Sequence, residues 1–226
     1  MLIPIDRLIH SRRKTVAIIV QRDGTLTVRA PLRMSEAHIR EFVQSHTEWI
    51  RLKQAQAKAS PPPPGKNYAD GETFLYLGKE VPLTIVAYQR PALTYTGDRF
   101  LLARSALPRA RQAFIRWYKA QVLELLSKKV SIQAQQNDFT WKKIRISSAR
   151  TRWGSCSSNG TLSFTWRLVL APPEVIDYVV VHELAHTRIR DHSPKFWRRV
   201  AEIMPDYKRH VSWLKQNGRF LTLGDD

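Results

Sequence analysis

The segment Val179-Val180-Val181-His182-Glu183-Leu184-Ala185-His186 constrains this 226-residue chain more than any other. In a helix, residues four apart lie one turn apart on one face, so His182 and His186 can chelate a single metal ion. Glu183 falls about 100° around the axis from His182, near enough to reach a water on that ion and poorly placed to be a further ligand. Val175, Ile176, Val179, Val180 and Leu184 give the stretch an apolar surface, and Pro172-Pro173 stand where a helix can begin.

Two ligands and a base on one helix make the zincin arrangement. A catalytic zinc takes three protein ligands and keeps a fourth position for water. His192 is the expected third ligand: it follows His186 by six residues, so the helix must end soon after His186 and the chain must turn back. Three of the seven histidines fall between 182 and 192. Glu202 and His210 are the competing third ligands. Metzincins place a glycine three residues after the second histidine; Ile189 stands there, so the turn is made differently. Cys156 is the one cysteine, which excludes an intrachain disulfide, and it reads as a small half-buried thiol rather than a ligand.

Around this segment the chain reads as α+β. Thr15 to Gln21 and Thr25 to Ala30 form a hairpin turning at Arg22-Asp23-Gly24, and a helix runs from an N-cap at Ser35 to about Lys58. Residues 1–60 are thus an N-terminal β-β-α lobe. Ser60-Pro61-Pro62-Pro63-Pro64-Gly65 forbids helix, and 61–66 reads as an extended spacer. Residues 67–226 form the catalytic domain, unless 1–226 is one continuous domain. Short strands are expected at Thr73 to Leu77, Val81 to Tyr88 and around Phe100. A long amphipathic helix carries Phe114, Tyr118, Val122, Leu125, Leu126 and Val130, and strands follow at Ile144–Ile146 and Leu162–Trp166. Helices continue to the end, broken near Asp191 and Pro205.

Several stretches together resemble the YgjP-like metallopeptidase family: Arg152-Trp153-Gly154-Ser155-Cys156, Trp166 to Pro173, Val181 to His186, and His192-Ser193-Pro194-Lys195-Phe196-Trp197. Asp23-Gly24, Ala30-Pro31, Trp49-Ile50, Gly71-Glu72 and Tyr76-Leu77-Gly78 extend the resemblance over roughly 12–215. It implies a zincin-like fold, a small mixed sheet packed on an active-site helix, with one zinc ion on His182, His186 and His192 and with Glu183 catalytic. The family is related in pattern to SprT-like and WLM-type proteases.

The loop Arg150 to Cys156 is expected to line the cleft, with Arg152, Trp153 and Ser155 as substrate-binding residues; the competing reading is a structural turn. Lys and Arg number 37 against 19 Asp and Glu, a formal charge of +18. Lys142, Lys143, Arg145, Arg150 and Arg152 form one basic cluster, and Arg188, Arg190, Lys195, Arg198 and Arg199 another. Such clusters suit nucleic acid or nucleotide, or serve as a solvated face. No apolar run approaches the ~20 residues of a membrane span, and the start lacks a signal peptide's pattern, so a cytoplasmic protein is expected. The expected activity is zinc-dependent hydrolysis of peptide or protein by a zinc-activated water with Glu183 as general base. The alternatives are hydrolysis of a nucleoside triphosphate at the same centre and a nucleic-acid-binding module with structural zinc. The oligomeric state is open.

Overall fold

A computed structural model describes residues 3–21, 23–59 and 64–224. The chain divides into two compact units, 1–63 and 64–226. Arg22 of the first turn and Ser60–Pro63 of the proline run lie outside the described residues.

In the first unit, β1 (Arg7–Ser11), β2 (Ala17–Val20) and β3 (Leu26–Pro31) form a sheet in the order β1-β3-β2. The β2–β3 hairpin is antiparallel, and β1 adds a parallel neighbour that sequence reading had not identified. Alternation along β3 buries Leu26, Val28 and Ala30 against Ile39, Val43 and Ile50. Those last three come from two helices, α1 (Glu36–Ser45) and α2 (Thr47–Lys58), rather than one. The sequence Ser45-His46-Thr47 explains the break. The Ser45 hydroxyl donates to the Phe42 carbonyl at 2.8 Å, the His46 Nδ1 meets the same carbonyl at 2.8 Å, and the Thr47 hydroxyl donates to the Gln44 carbonyl at 2.7 Å. Side chains thereby take carbonyls of the last turn of α1.

The second unit is built on a four-stranded and a three-stranded sheet. The strands β4 (Thr73–Tyr76), β5 (Lys79–Val86), β6 (Leu93–Tyr95) and β7 (Phe100–Ala103) run in the order β4-β5-β7-β6. The tight β4–β5 turn has Leu77 and Gly78 at φ of 50° and 77°. Its two amides donate to the carbonyls of Val169 and Leu170, at 2.8 and 3.2 Å. The helix α3 (Ala110–Asn137) buries Ala110, Phe114, Tyr118, Val122, Leu126, Val130 and Ala134, one residue per turn. Tyr118 donates to the Leu75 carbonyl at 2.7 Å and stacks on Trp166 at 5.8 Å, which joins α3 to both flanking layers.

The three-stranded sheet carries β8 (Lys143–Ser147), β9 (Gly154–Cys156) and β10 (Thr161–Thr165) in the order β8-β10-β9. It is mixed: β10 runs parallel to β8 and antiparallel to β9, which leaves β9 as an edge. Ile144, Ile146, Leu162 and Phe164 point inward, whereas Lys143, Arg145 and Ser163 alternate outward. A 3-10 turn from Trp166 to Leu170 leads into α4 (Pro173–Ala185), followed by α5 (Pro194–Ile203) and α6 (Tyr207–Asn217). Nine of the thirteen residues of α4 are buried. Such a helix sits in the middle of a core, and side chains on it are held by packing.

Candidate metal centre

His182 and His186 occupy the last turn of α4, which ends where expected, with His186 as its C-cap. The chain turns through Thr187 to Asp191 and brings back His192 just ahead of α5. The His192 Nε2 then lies 3.2 Å from the Nε2 of His182 and 3.2 Å from that of His186. All three nitrogens fall within 4.8 Å of one another.

Two of the rings have a contact on the far side. The His186 Nδ1 sits 3.0 Å from the Ile189 carbonyl. A carbonyl only accepts, so Nδ1 carries the proton and Nε2 presents a lone pair. The His182 Nδ1 lies 3.3 Å from the Tyr178 hydroxyl. Burial, with His186 and His192 nearby, pulls His182 down to about 3, and burial lowers His186 too. Both shifts favour the neutral ring of His182 and of His186. One proton on His192 can satisfy only one of the two facing nitrogens, whereas a cation between the three rings satisfies all of them. Tetrahedral bonds of 2.0–2.1 Å separate ligand atoms by about 3.4 Å. The donor set fits a zinc ion.

Phe196 floors the cluster, stacked on His186 at 4.4 Å and edge-on to His182 at 4.9 Å. Trp197 stacks on His192 at 5.6 Å. Glu183 is 5% exposed, and burial raises its carboxyl to about 8, with Arg152 pulling the other way. Its Oε2 has no hydrogen-bond partner among the described residues. Strand β9 lies directly on it: a Cβ added to Gly154 would stand 2.5 Å from the Glu183 Oε1.

A cleft of about 440 Å³ opens beside His182 and Glu183, walled by Arg152, Trp153, Gly154 and Tyr178 and by Val211, Leu214 and Lys215 of α6. Arg152 and Trp153, from the loop before β9, both line this cleft. Ser155 lines a hollow on the other face of the sheet. Glu202 pairs with Arg199 at 3.1 Å, and His210 meets Asp206 at 3.4 Å and stacks on Tyr178. Neither belongs to the triad. Asp177, on the same helix as His182, pairs with Lys129 at 2.5 Å.

Sequence reasoning missed Tyr178 and the contact of Gly154 with Glu183. Tyr178 had a signal, since it precedes His182 by four residues on the same face. Three of the five residues of the second basic cluster also prove to be internal wiring. Arg190 donates to the carbonyls of Ser157 and Ser158, at 2.8 and 3.0 Å. Arg188 donates to the Asp138 carbonyl, and Arg199 donates to the Asn137 carbonyl at 2.9 Å; the two flank the ring of Phe139.

A family model described as YgjP-like, metallopeptidase domain, matches residues 14–217. The chain belongs to this family. Among solved structures, the YgjP-like chain is similar to the metallopeptidase zymogen abylysin of Pyrococcus abyssi, at 21% identity and a TM-score of 0.38. That match covers 42% of this chain and 96% of abylysin. It is also similar to Wss1 from Saccharomyces cerevisiae, at 21% identity and a TM-score of 0.33, over 44% of this chain and 84% of that one. No curated protein matches it. No helix among its described residues is long and apolar enough to cross a membrane.

Proposed function

We propose that this YgjP-like chain is a zinc-dependent peptidase whose catalytic unit is 64–226. One observation carries the reading: the Nε2 atoms of three imidazoles converge next to a buried Glu183 oxygen that has no hydrogen-bond partner among the described residues. His182, His186 and His192 hold the ion. When bound, zinc would supply a Lewis acid for the scissile carbonyl, a water acidified from 15.7 toward about 7, and a charge that offsets the cost of ionising Glu183.

Glu183 acts as general base and then delivers its proton to the leaving amine. Its position is fixed by the buried wall of α4 on one side and by Gly154 on the other. The substrate backbone adds to the unpaired edge of β9, above Glu183. Trp153, Val211 and Leu214 receive apolar side chains, and Arg152 with Lys215 receives acidic groups or the carbonyl oxygen as it gains charge. Tyr178 keeps the His182 ring oriented.

Arg152 and Lys215 also favour a second reading, hydrolysis of a nucleoside triphosphate, in which they neutralise the phosphates. The apolar half of the cleft and the open strand edge favour the peptide. A purely structural metal leaves the buried Glu183 oxygen without a purpose.

The test compares an unfolded protein substrate and a nucleoside triphosphate on zinc-loaded protein, with Glu183→Gln alongside. The expected result is proteolysis that falls by about 100-fold or more in Glu183→Gln at unchanged zinc content. Proteolysis unaffected by the substitution removes Glu183 from its role. Nucleotide hydrolysis without proteolysis selects the second reading.

A further inference from the structure

The outer face of the β8-β10-β9 sheet is hollowed, not flat. The concavity, about 550 Å³, is lined by Lys143 and Arg145 from β8, Thr161 and Ser163 from β10, Ser155 from β9, and Arg152. Three cations and several hydroxyls converge there, and no carboxylate lines it. Strand pairing sets Arg145, Ser163 and Ser155 in one row across the sheet, with Lys143 beside Thr161 in the next row. The side chains of Lys143, Arg145, Arg152, Ser155 and Ser163 make no hydrogen bond or ion pair with any described residue. The basic side chains Arg188, Arg190 and Arg199 are, by contrast, all tied to protein carbonyls. Lys142 and Arg150, both exposed, flank the hollow in sequence.

We propose that this hollow binds the phosphodiester backbone of nucleic acid, without reading bases. The geometry selects that ligand over an acidic peptide. A peptide paired to the open edge of β9 lies about 5 Å from β9 and about 14 Å from β8, three strand spacings away. Its carboxylates meet Ser155 and Arg152 and fall short of Lys143 and Arg145. A phosphodiester chain laid across the strands meets Arg145, Ser163 and Ser155 in turn, charge and hydroxyl donors together. No aromatic side chain lines the hollow. Base stacking is therefore not offered, and the affinity is electrostatic and indifferent to sequence. Arg152 lines both this hollow and the metal-side cleft, so bound nucleic acid lies next to the cleft. The inference stands apart from the hydrolytic reading, because binding needs neither metal nor turnover.

The experiment is fluorescence anisotropy of a labelled 20-base-pair duplex against the full-length protein, in 50 to 200 mM salt. Three phosphate contacts give a log–log salt slope of about −2.7, so binding weakens about 40-fold across that range. Lys143→Glu/Arg145→Glu leaves one contact, a slope near −0.9 and about a fourfold change. Lys143→Gln/Arg145→Gln, which removes charge without adding repulsion, shifts the slope the same way and guards against misfolding. Arg51→Glu/Lys53→Glu, an equal charge change on α2, is expected to keep the wild-type slope, and a duplex of scrambled sequence is expected to bind equally well. If the α2 variant loses as much as the β8 variant, net charge rather than the hollow carries the binding and the proposal fails. It also fails if a polyglutamate peptide of matched charge binds as tightly as the duplex, or if neither β8 variant changes the slope.

Discussion

Replacing Gly154 with Ala tests the junction on which the catalytic reading depends. Gly154 is not among the glycines with positive φ, so its backbone accepts alanine. At such a site the exchange ordinarily stabilises a protein by about 0.4–1 kcal/mol. Here the new methyl would stand 2.5 Å from the Glu183 Oε1, 2.6 Å from its Cγ and 2.7 Å from its Cδ. Those separations are roughly 1 Å short of van der Waals contact. The carboxylate can give way only by leaving this position, toward the cleft that Glu183 also lines. Either β9 lifts or Glu183 swings. Overpacking of this kind costs about 1–3 kcal/mol, which leaves a net loss of between about 0 and 2.6 kcal/mol after the backbone gain. For a domain of this size that is a drop of at most roughly 10 °C in Tm. A displacement of about 1 Å at a catalytic group costs on the order of 100-fold in rate. The assay measures turnover of an unfolded protein substrate, zinc per chain and thermal unfolding on the same sample. The expected outcome is a near-total loss of turnover, full zinc content and a Tm that does not rise. Turnover within threefold of wild type together with a raised Tm would show that β9 does not rest on Glu183, and the account of how the base is held would be wrong.

Three further outcomes follow from the geometry. His192→Ala is expected to strip the metal, whereas His210→Ala keeps about one zinc per chain, as read by atomic absorption; the reverse pattern refutes the triad. Tyr178→Phe removes the group facing the His182 Nδ1, and competition with a chromophoric chelator should show zinc affinity falling by roughly 10–100-fold with the fold intact. Burial raises the Tyr118 hydroxyl well above its ordinary value of 10.0. The unfolded chain then releases this proton first as pH rises, so the contribution to stability is whole below pH 10 and declines above it. Chemical denaturation should show a shallower alkaline decline in Tyr118→Phe than in wild type, and identical slopes would count against the shift.

What could be read from the sequence follows the range of the interactions. The relation of His182 to Glu183 and His186 is a property of helical period, and so are the buried stripe of α3 and the Ser35 cap. The β2–β3 hairpin is likewise local, set by Asp23-Gly24. The contact of Gly154 with Glu183 joins residues 29 apart, and no local pattern announces it. Arg190 reaches Ser157 across 33 residues and Arg199 reaches Asn137 across 62, so a cluster that reads as a basic face is partly spent on holding loops. The three-residue strand β6 and the Ser45-His46-Thr47 break were missed for the opposite reason. Their signals are local but short, and a few side-chain hydrogen bonds outweigh the apolar period on either side.

The turn at Leu77-Gly78 limits how far this protein can be cut down. A fragment beginning at α3 would keep every histidine of the triad, Glu183 and the whole three-stranded sheet. It would also leave the Val169 and Leu170 carbonyls, in residues that are fully buried, without the amides that now satisfy them. Two stranded acceptors cost about 2–6 kcal/mol together, comparable to the entire stability of many domains. Because the donors are main-chain groups, no side-chain substitution elsewhere replaces them. Gly78 itself sits 2.9 Å, measured from an added Cβ, from the Pro172 ring at the head of α4. The smallest soluble catalytic fragment must therefore start upstream of β4, and an expression series trimmed from the N-terminus should lose folded protein abruptly between residues 64 and 79.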